Sequence, residues 1–305
     1  MSDFKLYILG CGSATPSSRH LPSCQALEYR GRLMLIDCGE GAQLSLRRQH
    51  LKFSRLTDVF ISHLHGDHLL GLPGLLSTLA LHEKGGSVRI HIFEKGARLI
   101  QQIMNTVCHE TTFSIEYDIL RPDETRVIYE DNGMTVTAFP LYHRVPCVGF
   151  RFDEKPKPRH LRGDMVRYLD IPVRELPLIK EGADFVRADG MVFPNSRLTT
   201  PADPSVSYAY CSDTMFSTAV ARSVQGVDLL YHEATYGSDL AAVAAERGHS
   251  TAAQAAETAR LAEARRLLIG HYSARYDDTE GLLRQAREIF PDTDAAYEGM
   301  VIDLN

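Results

Sequence analysis

A chain of 305 residues with 44% hydrophobic and 24% charged residues has the balance of a globular enzyme, in one large or two ordinary domains. Its net charge of −6 and pI near 6.1 argue against a general nucleic-acid binder, so any such role needs a local basic patch. No apolar stretch approaches the roughly 20 residues of a membrane span. The start, MSDFKLYILG, lacks a basic region and a cleavable apolar segment. The six cysteines (Cys11, Cys24, Cys38, Cys108, Cys147 and Cys211) form no CxxC pair. These features together predict a reduced, cytoplasmic protein with buried thiols and no membrane partner.

The spacing predicts a strand over 4–9, running into a Gly-rich loop, Gly10-Cys11-Gly12-Ser13-Ala14-Thr15-Pro16. That loop has no third glycine and no following helix, so it reads as a tight turn rather than a phosphate cradle. A hairpin around Arg30-Gly31 joins strands over 26–29 and 32–36. Asp37 then ends a strand and reads as a loop-anchoring carboxylate, before a helix over 42–49.

The segment 57–76, TDVFISHLHGDHLLGLPGLL, organises the rest. The β-branched and aromatic run Val59-Phe60-Ile61 predicts a buried strand. Leucines resume at helical spacing from Leu69. Between them lie His63, His65, Asp67 and His68. Imidazole and carboxylate groups suit zinc, and four such groups exceed what one tetrahedral ion needs. From extended backbone His63 and His65 can point one way, while Asp67 and His68 point another. That arrangement predicts two adjacent metals. The HxHxDH motif resembles that of the metallo-β-lactamase superfamily, whose members mostly hydrolyse esters and amides with a zinc pair.

Further on, strands are expected over 88–93, 113–120, 125–129 and 134–139, with an amphipathic helix over 95–107. Asp131-Asn132-Gly133 predicts a hairpin, because Asn-Gly accepts positive φ. The last of these strands leads to His143, the natural completing ligand for His63 and His65. The segment 151–197 differs in texture, with many prolines and charges. It holds ten basic and eight acidic residues, a net of +2 against −8 for the rest of the chain. It reads as an inserted arm with a short helix over 163–169 and a hairpin around Asp189-Gly190. The core pattern then returns. Strands over 206–210, 227–231 and 267–269 lead to Asp213, Glu233 and His271. His249 opens an Ala-rich helix reaching about residue 265. A helix over 279–290 and a last strand over 296–304 follow.

The ligand-type residues divide into two sets. His63, His65 and His143 suit one ion, Asp67, His68 and His271 the other, and Asp213 bridges both. Water shared by two cations is strongly acidified and is a competent nucleophile near neutral pH. Glu233 and His249 remain. His249 can contact a phosphate or donate a proton to a leaving alkoxide, and Glu233 can fix its tautomer and raise its pKa.

The segments GCGSATP, LIDCGEGAQ, ISHLHGDHLLGLPGLL, LYH, CSDT, YHEAT with the later HST, LIGHYSARY and YEGMVIDL resemble those of the ribonuclease Z family. The pair YHEAT and HST discriminates most, because generic superfamily hydrolases share the metal ligands without it. The resemblance implies an α/β, four-layer αββα sandwich over 1–305 with an inserted protruding arm at 151–197. It implies two Zn2+ per subunit and a homodimer. It also implies cleavage of precursor tRNA just 3′ of the discriminator nucleotide, leaving a 3′-hydroxyl on the tRNA. The family's HxHxDH aspartate, here Asp67, is also treated as a proton acceptor. Relatives carry a Gly-Pro turn near the arm tip. Here the stretch reads IPVRELPLIKEG, so no individual arm residue is carried over. The alternative function is hydrolysis of small phosphodiesters on the same fold, which leaves the arm without a task. A zinc β-lactamase lacks support without a secretory signal, and a silent tRNA-binding module would not need seven ligands.

Overall fold

The computed structural model describes residues 4–15, 17–108 and 111–304. Pro16 of the Gly-rich loop therefore lies outside the described residues. The first half of the chain builds β1 (Phe4–Gly10), β2 (Cys24–Tyr29), β3 (Arg32–Ile36), α1 (Ala42–Arg48), β4 (Leu56–Phe60), α2 (Gly66–Leu69), α3 (Leu72–Leu81), β5 (Ser87–Ile92), α4 (Glu94–Val107) and β6 (Ser114–Ile119). The next strands are β7 (Arg126–Glu130), β8 (Met134–Pro140) and β9 (Val148–Glu154). An excursion carries β10 (His160–Leu161), α5 (Gly163–Tyr168), α6 (Leu176–Lys180), β11 (Phe185–Val186), β12 (Val192–Phe193), α7 (Asn195–Leu198) and β13 (Thr199–Thr200). The chain closes with β14 (Ser207–Cys211), α8 (Thr218–Ser223), β15 (Leu229–Glu233), α9 (Ala241–Arg247), α10 (Ala252–Leu261), β16 (Arg266–Gly270), α11 (Glu280–Arg287), β17 (Thr293–Ala295) and β18 (Val301–Asp303).

Two seven-stranded sheets result, in the orders β18-β1-β2-β3-β4-β5-β6 and β17-β16-β15-β14-β9-β8-β7. Each has an antiparallel part and a parallel run, β3 to β6 in one and β14 to β17 in the other. Strands of a parallel run are covered on both faces, and this explains unbroken apolar stretches such as Leu229-Leu230-Tyr231 and Leu267-Leu268-Ile269. One core lies between the sheets and includes Phe60, Phe150, Phe152, Tyr208 and Tyr231. A second lies under α1, α3 and α4, where Leu46, Leu75, Leu76, Leu79 and Ile100 meet the outer face of the first sheet. Helices α8, α10 and α11 cover the other outer face through Val220, Ala256 and Leu282. The layering is αββα.

Five expectations change. The helix after HxHxDH is broken into α2 and α3. The break falls at Gly71, where any Cβ would lie 2.0 Å from the Gly39 carbonyl oxygen. Neither Asn132 nor Gly133 is left-handed. Instead the Asp131 carboxylate accepts from the Gly133 and Met134 amides at 2.7 and 2.8 Å and builds the turn itself. The insertion does not begin at 151, because Arg151–Asp153 pair with both β8 and β14. The chain leaves the sandwich only after Glu154. The strand expected over 296–304 shortens to β18 (Val301–Asp303), because 296–300 form the crossover from β17 in the other sheet, turning at Gly299 with φ of 92°. Finally, α9 precedes His249 and had no counterpart in the sequence reading.

The excursion between Glu154 and Ser207 has a small core of its own, Leu169, Ile171, Ile179, Phe185 and Leu198. Its elements pack chiefly on one another. Tyr168, Val173, Val186 and Val192 stay exposed on it, as do Arg167, Arg174, Lys180 and Arg197. The cysteines form no disulfide. Among the described residues no helix is long and apolar enough to cross a membrane.

Candidate metal centre

Strand ends of the two parallel runs meet at one edge of the sandwich. There β4 delivers His63, His65, Asp67 and His68, β14 delivers Asp213, β15 Glu233 and β16 His271. The loop after β8 adds His143, three residues beyond the strand. These residues fall into two clusters that share Asp213.

In the first, His63 Nε2 lies 3.0 Å from His65 Nδ1, and His143 Nε2 lies 3.3 Å from the same nitrogen. Asp213 Oδ2 is 3.5 Å from His63 Nε2 and 3.7 Å from His143 Nε2. In the second, His68 Nε2 lies 3.3 Å from His271 Nε2 and 3.2 Å from Asp67 Oδ2. Asp213 Oδ1 is 3.2 Å from His271 Nε2 and 3.5 Å from His68 Nε2. A tetrahedral ion with bonds of about 2.0–2.2 Å has donor–donor edges of about 3.3–3.6 Å. Both clusters match that size.

The outer hydrogen bonds set the tautomers. His143 Nδ1 donates to the Gly248 carbonyl at 2.7 Å, and His68 Nδ1 donates to Asp37 Oδ2 at 2.7 Å. His63 Nδ1 donates to Ser62 Oγ at 3.0 Å, which itself donates to Asp37 at 2.8 Å. His271 Nδ1 donates to Thr235 Oγ1 at 2.8 Å, which passes its own proton to Glu233 at 2.6 Å. Each of these four rings therefore turns Nε2 inward, toward two carboxylates. Burial lowers the His68 pKa, but Asp37, Asp213 and Asp67 outweigh it and push it up, so a cation would displace a proton from this ring. Among the described residues, Asp213 Oδ1 is buried without a hydrogen-bond partner. Converging Nε2 atoms and a buried carboxylate oxygen left without a hydrogen-bond partner among the described residues fit a cation. Burial, with the neighbouring imidazoles, holds His63 and His65 below the usual histidine pKa, as neutral ligands require. Burial pushes the Asp67 carboxyl up, but His68 and His271 outweigh it and hold it well below the carboxylate range.

Asp37 and Glu233 are the two hubs of this construction. Asp37 accepts from the Ser62 amide at 2.7 Å and from Tyr210 Oη at 2.8 Å, besides His68. The sequence marked it only as a loop anchor; its strand-end position was the available signal for more. Glu233 is fully buried. It accepts from the Thr214, Ser250 and Thr235 amides at 3.1, 2.9 and 3.0 Å, and from His249 Nδ1 at 2.9 Å. Burial lowers the His249 pKa, but the Glu233 charge and hydrogen bond outweigh it and push it up to about 9. His249 does not open the helix. It sits between Gly248, the left-handed end of α9, and Thr251, which caps α10 in a capping box with Gln254. Ser62, Thr214, Thr235 and Ser250 carried no signal of their own as hydrogen-bond partners.

Above the clusters lies a cleft of about 920 Å³, lined by Ser13, Arg144, Tyr236, Arg247, Arg275 and His249 among others. The Arg275 guanidinium lies 5.3 Å over the Tyr236 ring. A cationic wall with an aromatic face beside paired ligand clusters suits a phosphodiester.

The ribonuclease Z of Bacteroides fragilis is 48% identical to this chain over 304 residues, with 100% of both chains covered. The chain belongs to the ribonuclease Z family. It is a hydrolase of the endoribonuclease class. Among solved structures, human tRNase Z, short form, superposes with a TM-score of 0.72 at 26% identity over 99% of each chain. The metallo-β-lactamase fold protein YhfI from Bacillus subtilis superposes with a TM-score of 0.68 at 18% identity over 98% of each chain, and shows the shared fold. Residues 4–156 also match the family profile described as anti-Pycsar protein Apyc1. That match ends at the edge of β9, before Asp213, Glu233, His249 and His271. The ribonuclease Z likeness spans all of them.

Proposed function

We propose that this protein removes the 3′ trailer from precursor tRNA, cutting after the discriminator nucleotide and leaving a 3′-hydroxyl on the tRNA. The observation that carries the reading is His249 on Glu233, beside two clusters joined through Asp213. The proposed ligands are His63, His65, His143 and Asp213 for one zinc, and Asp67, His68, His271 and Asp213 for the other, two Zn2+ per subunit in a homodimer. Zinc held there supplies Lewis acidity for phosphoryl oxygens and lowers the pKa of water.

The chain's own groups supply the rest. The alkoxide leaving the phosphorus is a poor leaving group, and protonated His249 delivers a proton to that 3′-oxygen through Nε2, because Nδ1 is committed to Glu233. Glu233 is a positioning residue: it holds the ring and keeps it charged. Asp67, held below the usual carboxylate range, is a weak base, so its first role is as a ligand. The exposed cations Arg167, Arg174, Lys180 and Arg197 of the excursion give RNA a contact surface away from the cleft.

The deciding experiment is cleavage of a 3′-extended precursor tRNA lacking CCA, with Asp67→Ala and His249→Ala beside the wild type. A single cut after the discriminator, lost in the first variant and strongly slowed in the second, supports the reading. No cut by zinc-loaded wild type would turn it toward small phosphodiesters.

A further inference from the structure

Outside the cleft, three different ligand types from three chain segments converge. Cys11 ends the approach from β1 and is fully buried. His20 lies in the loop before β2. Glu298 lies on the crossover from β17 to β18. Cys11 Sγ is 3.5 Å from His20 Nδ1 and 3.5 Å from Glu298 Oε1, while His20 Nδ1 is 3.1 Å from Glu298 Oε2. A thiol, an imidazole and a carboxylate thus gather with one ligand atom of each within 4.8 Å of the others. The Sγ–Nδ1 and Nδ1–Oε2 separations of 3.5 and 3.1 Å are close to the edges of a tetrahedron around an ion bound at about 2.0–2.3 Å, and Sγ reaches the same carboxylate through Oε1.

We propose that Cys11, His20 and Glu298 form a separate zinc site, which ties the loop between β1 and β2 to the crossover between the two sheets. The donors divide their duties in a way that leaves room for an ion. Glu298 Oε1 is occupied by the Leu21 amide at 2.8 Å and the Cys11 amide at 3.3 Å. Among the described residues, the hydrogen-bond partner of Oε2 is His20 Nδ1 at 3.1 Å, itself one of the three donors. The Cys11 thiol donates to the Ala296 carbonyl at 3.4 Å, a hydrogen bond that a sulfur–metal bond would replace. His20 and Glu298 side chains are 21% and 23% exposed, so the remaining position faces solvent and takes a water. On binding, the thiol gives its proton to solvent and a sulfur–metal bond forms; the proton that His20 Nδ1 shares with Glu298 Oε2 is also released to solvent, leaving a neutral ring with its proton on Nε2. A mixed sulfur, nitrogen and oxygen set favours zinc over magnesium or calcium.

The site has a consequence for the cleft. Ser13, Ala14 and Thr15, which line the cleft, lie between Cys11 and His20 in the same loop. An ion here would brace that rim from behind.

Cobalt provides the test, because a cobalt–thiolate bond gives a near-ultraviolet charge-transfer band that nitrogen and oxygen ligands do not. The two clusters around Asp213 contain no cysteine, so they are silent in that window. Full-length protein stripped with chelator and reloaded with Co2+ should show the band. It should also hold one equivalent of metal beyond that held by the two clusters. Cys11→Ser and His20→Ala should each abolish the band and lose that one equivalent, while Cys108→Ser keeps both. His20 is partly exposed, so its variant remains informative if Cys11→Ser misfolds. Absence of the band in the wild type, or a band that survives His20→Ala unchanged, would overturn the site and leave the three side chains as a hydrogen-bonded clasp.

Discussion

His249 Nδ1 lies 2.9 Å from Glu233 Oε1, and Glu233 is completely buried while His249 borders the cleft. The pair converts a buried charge into a property of a ring that lines the cleft. It also has a measurable sign. The ring is protonated, and able to act as an acid, only below its raised pKa of about 9. Cleavage kcat/KM should therefore show an alkaline limb. In Glu233→Gln the charge that sustains the imidazolium is gone, and the limb should move toward lower pH. His249→Ala should slow cleavage by about 10²–10⁴-fold and remove that limb. An unmoved limb in Glu233→Gln would break the link between the two residues. The same linkage affects stability: a raised histidine pKa stabilises the fold fully below the ordinary value near 6.5, and that contribution fades as pH rises through about 9.

Asp37 touches His68 Nδ1 and not the inward-facing Nε2. Asp37→Asn should thus weaken metal retention without removing a ligand, by about 10–100-fold. Competition with a chelator of known affinity measures it. Asp67→Ala, which takes away a proposed ligand outright, should cost more.

Gly248 has φ of 75°, and a Cβ there would lie 2.9 Å from His143 Nδ1. Gly248→Ala meets both backbone strain, about 1 kcal/mol or more, and a push on a ligand ring. The expected result is a lower melting temperature together with weaker metal binding. A drop in melting temperature alone would mean that His143 moves aside freely.

The excursion can be removed without opening the sheet, because Asp153 and Ser207 already face each other as antiparallel partners. Replacing 157–204 with a short turn should leave hydrolysis of a small aryl phosphodiester nearly intact. Cleavage of precursor tRNA should collapse, chiefly through KM. Full pre-tRNA cleavage by the shortened protein would remove the excursion from substrate binding.

Ligand removal should also be visible in stability. On the proposed ligand set, a chelator would take away the cations that offset Asp213 and Asp67. Metal at about 1,000 times its Kd contributes about 4 kcal/mol to the folded state. Chelation should lower the melting temperature, and zinc should restore it. The Asp213→Asn variant should respond less to both.

Much of this molecule was legible in the order of its residues. Val59-Phe60-Ile61 before HxHxDH marked a buried strand delivering donors. Apolar runs before Asp213, Glu233 and His271 marked strands whose ends carry polar groups. These are local patterns, set by side-chain periodicity and by residue chemistry. Other features have no local cause. Arg151 looked like part of a charged insertion, yet it belongs to β9, because pairing with β8 and β14 outweighs composition. The stretch 296–304 looked like one strand, yet its first half is the crossover between the sheets, turning at Gly299 and bringing Glu298 to Cys11 and His20. Asp37 looked like an anchor, and only the approach of His68 and Tyr210 made it a hub. The sequence by itself determined which groups could bind metal and which strands would carry them. The tertiary structure decided which atoms face each other, because Nε2 points inward only where Asp37, Ser62, Gly248 or Thr235 holds the opposite nitrogen.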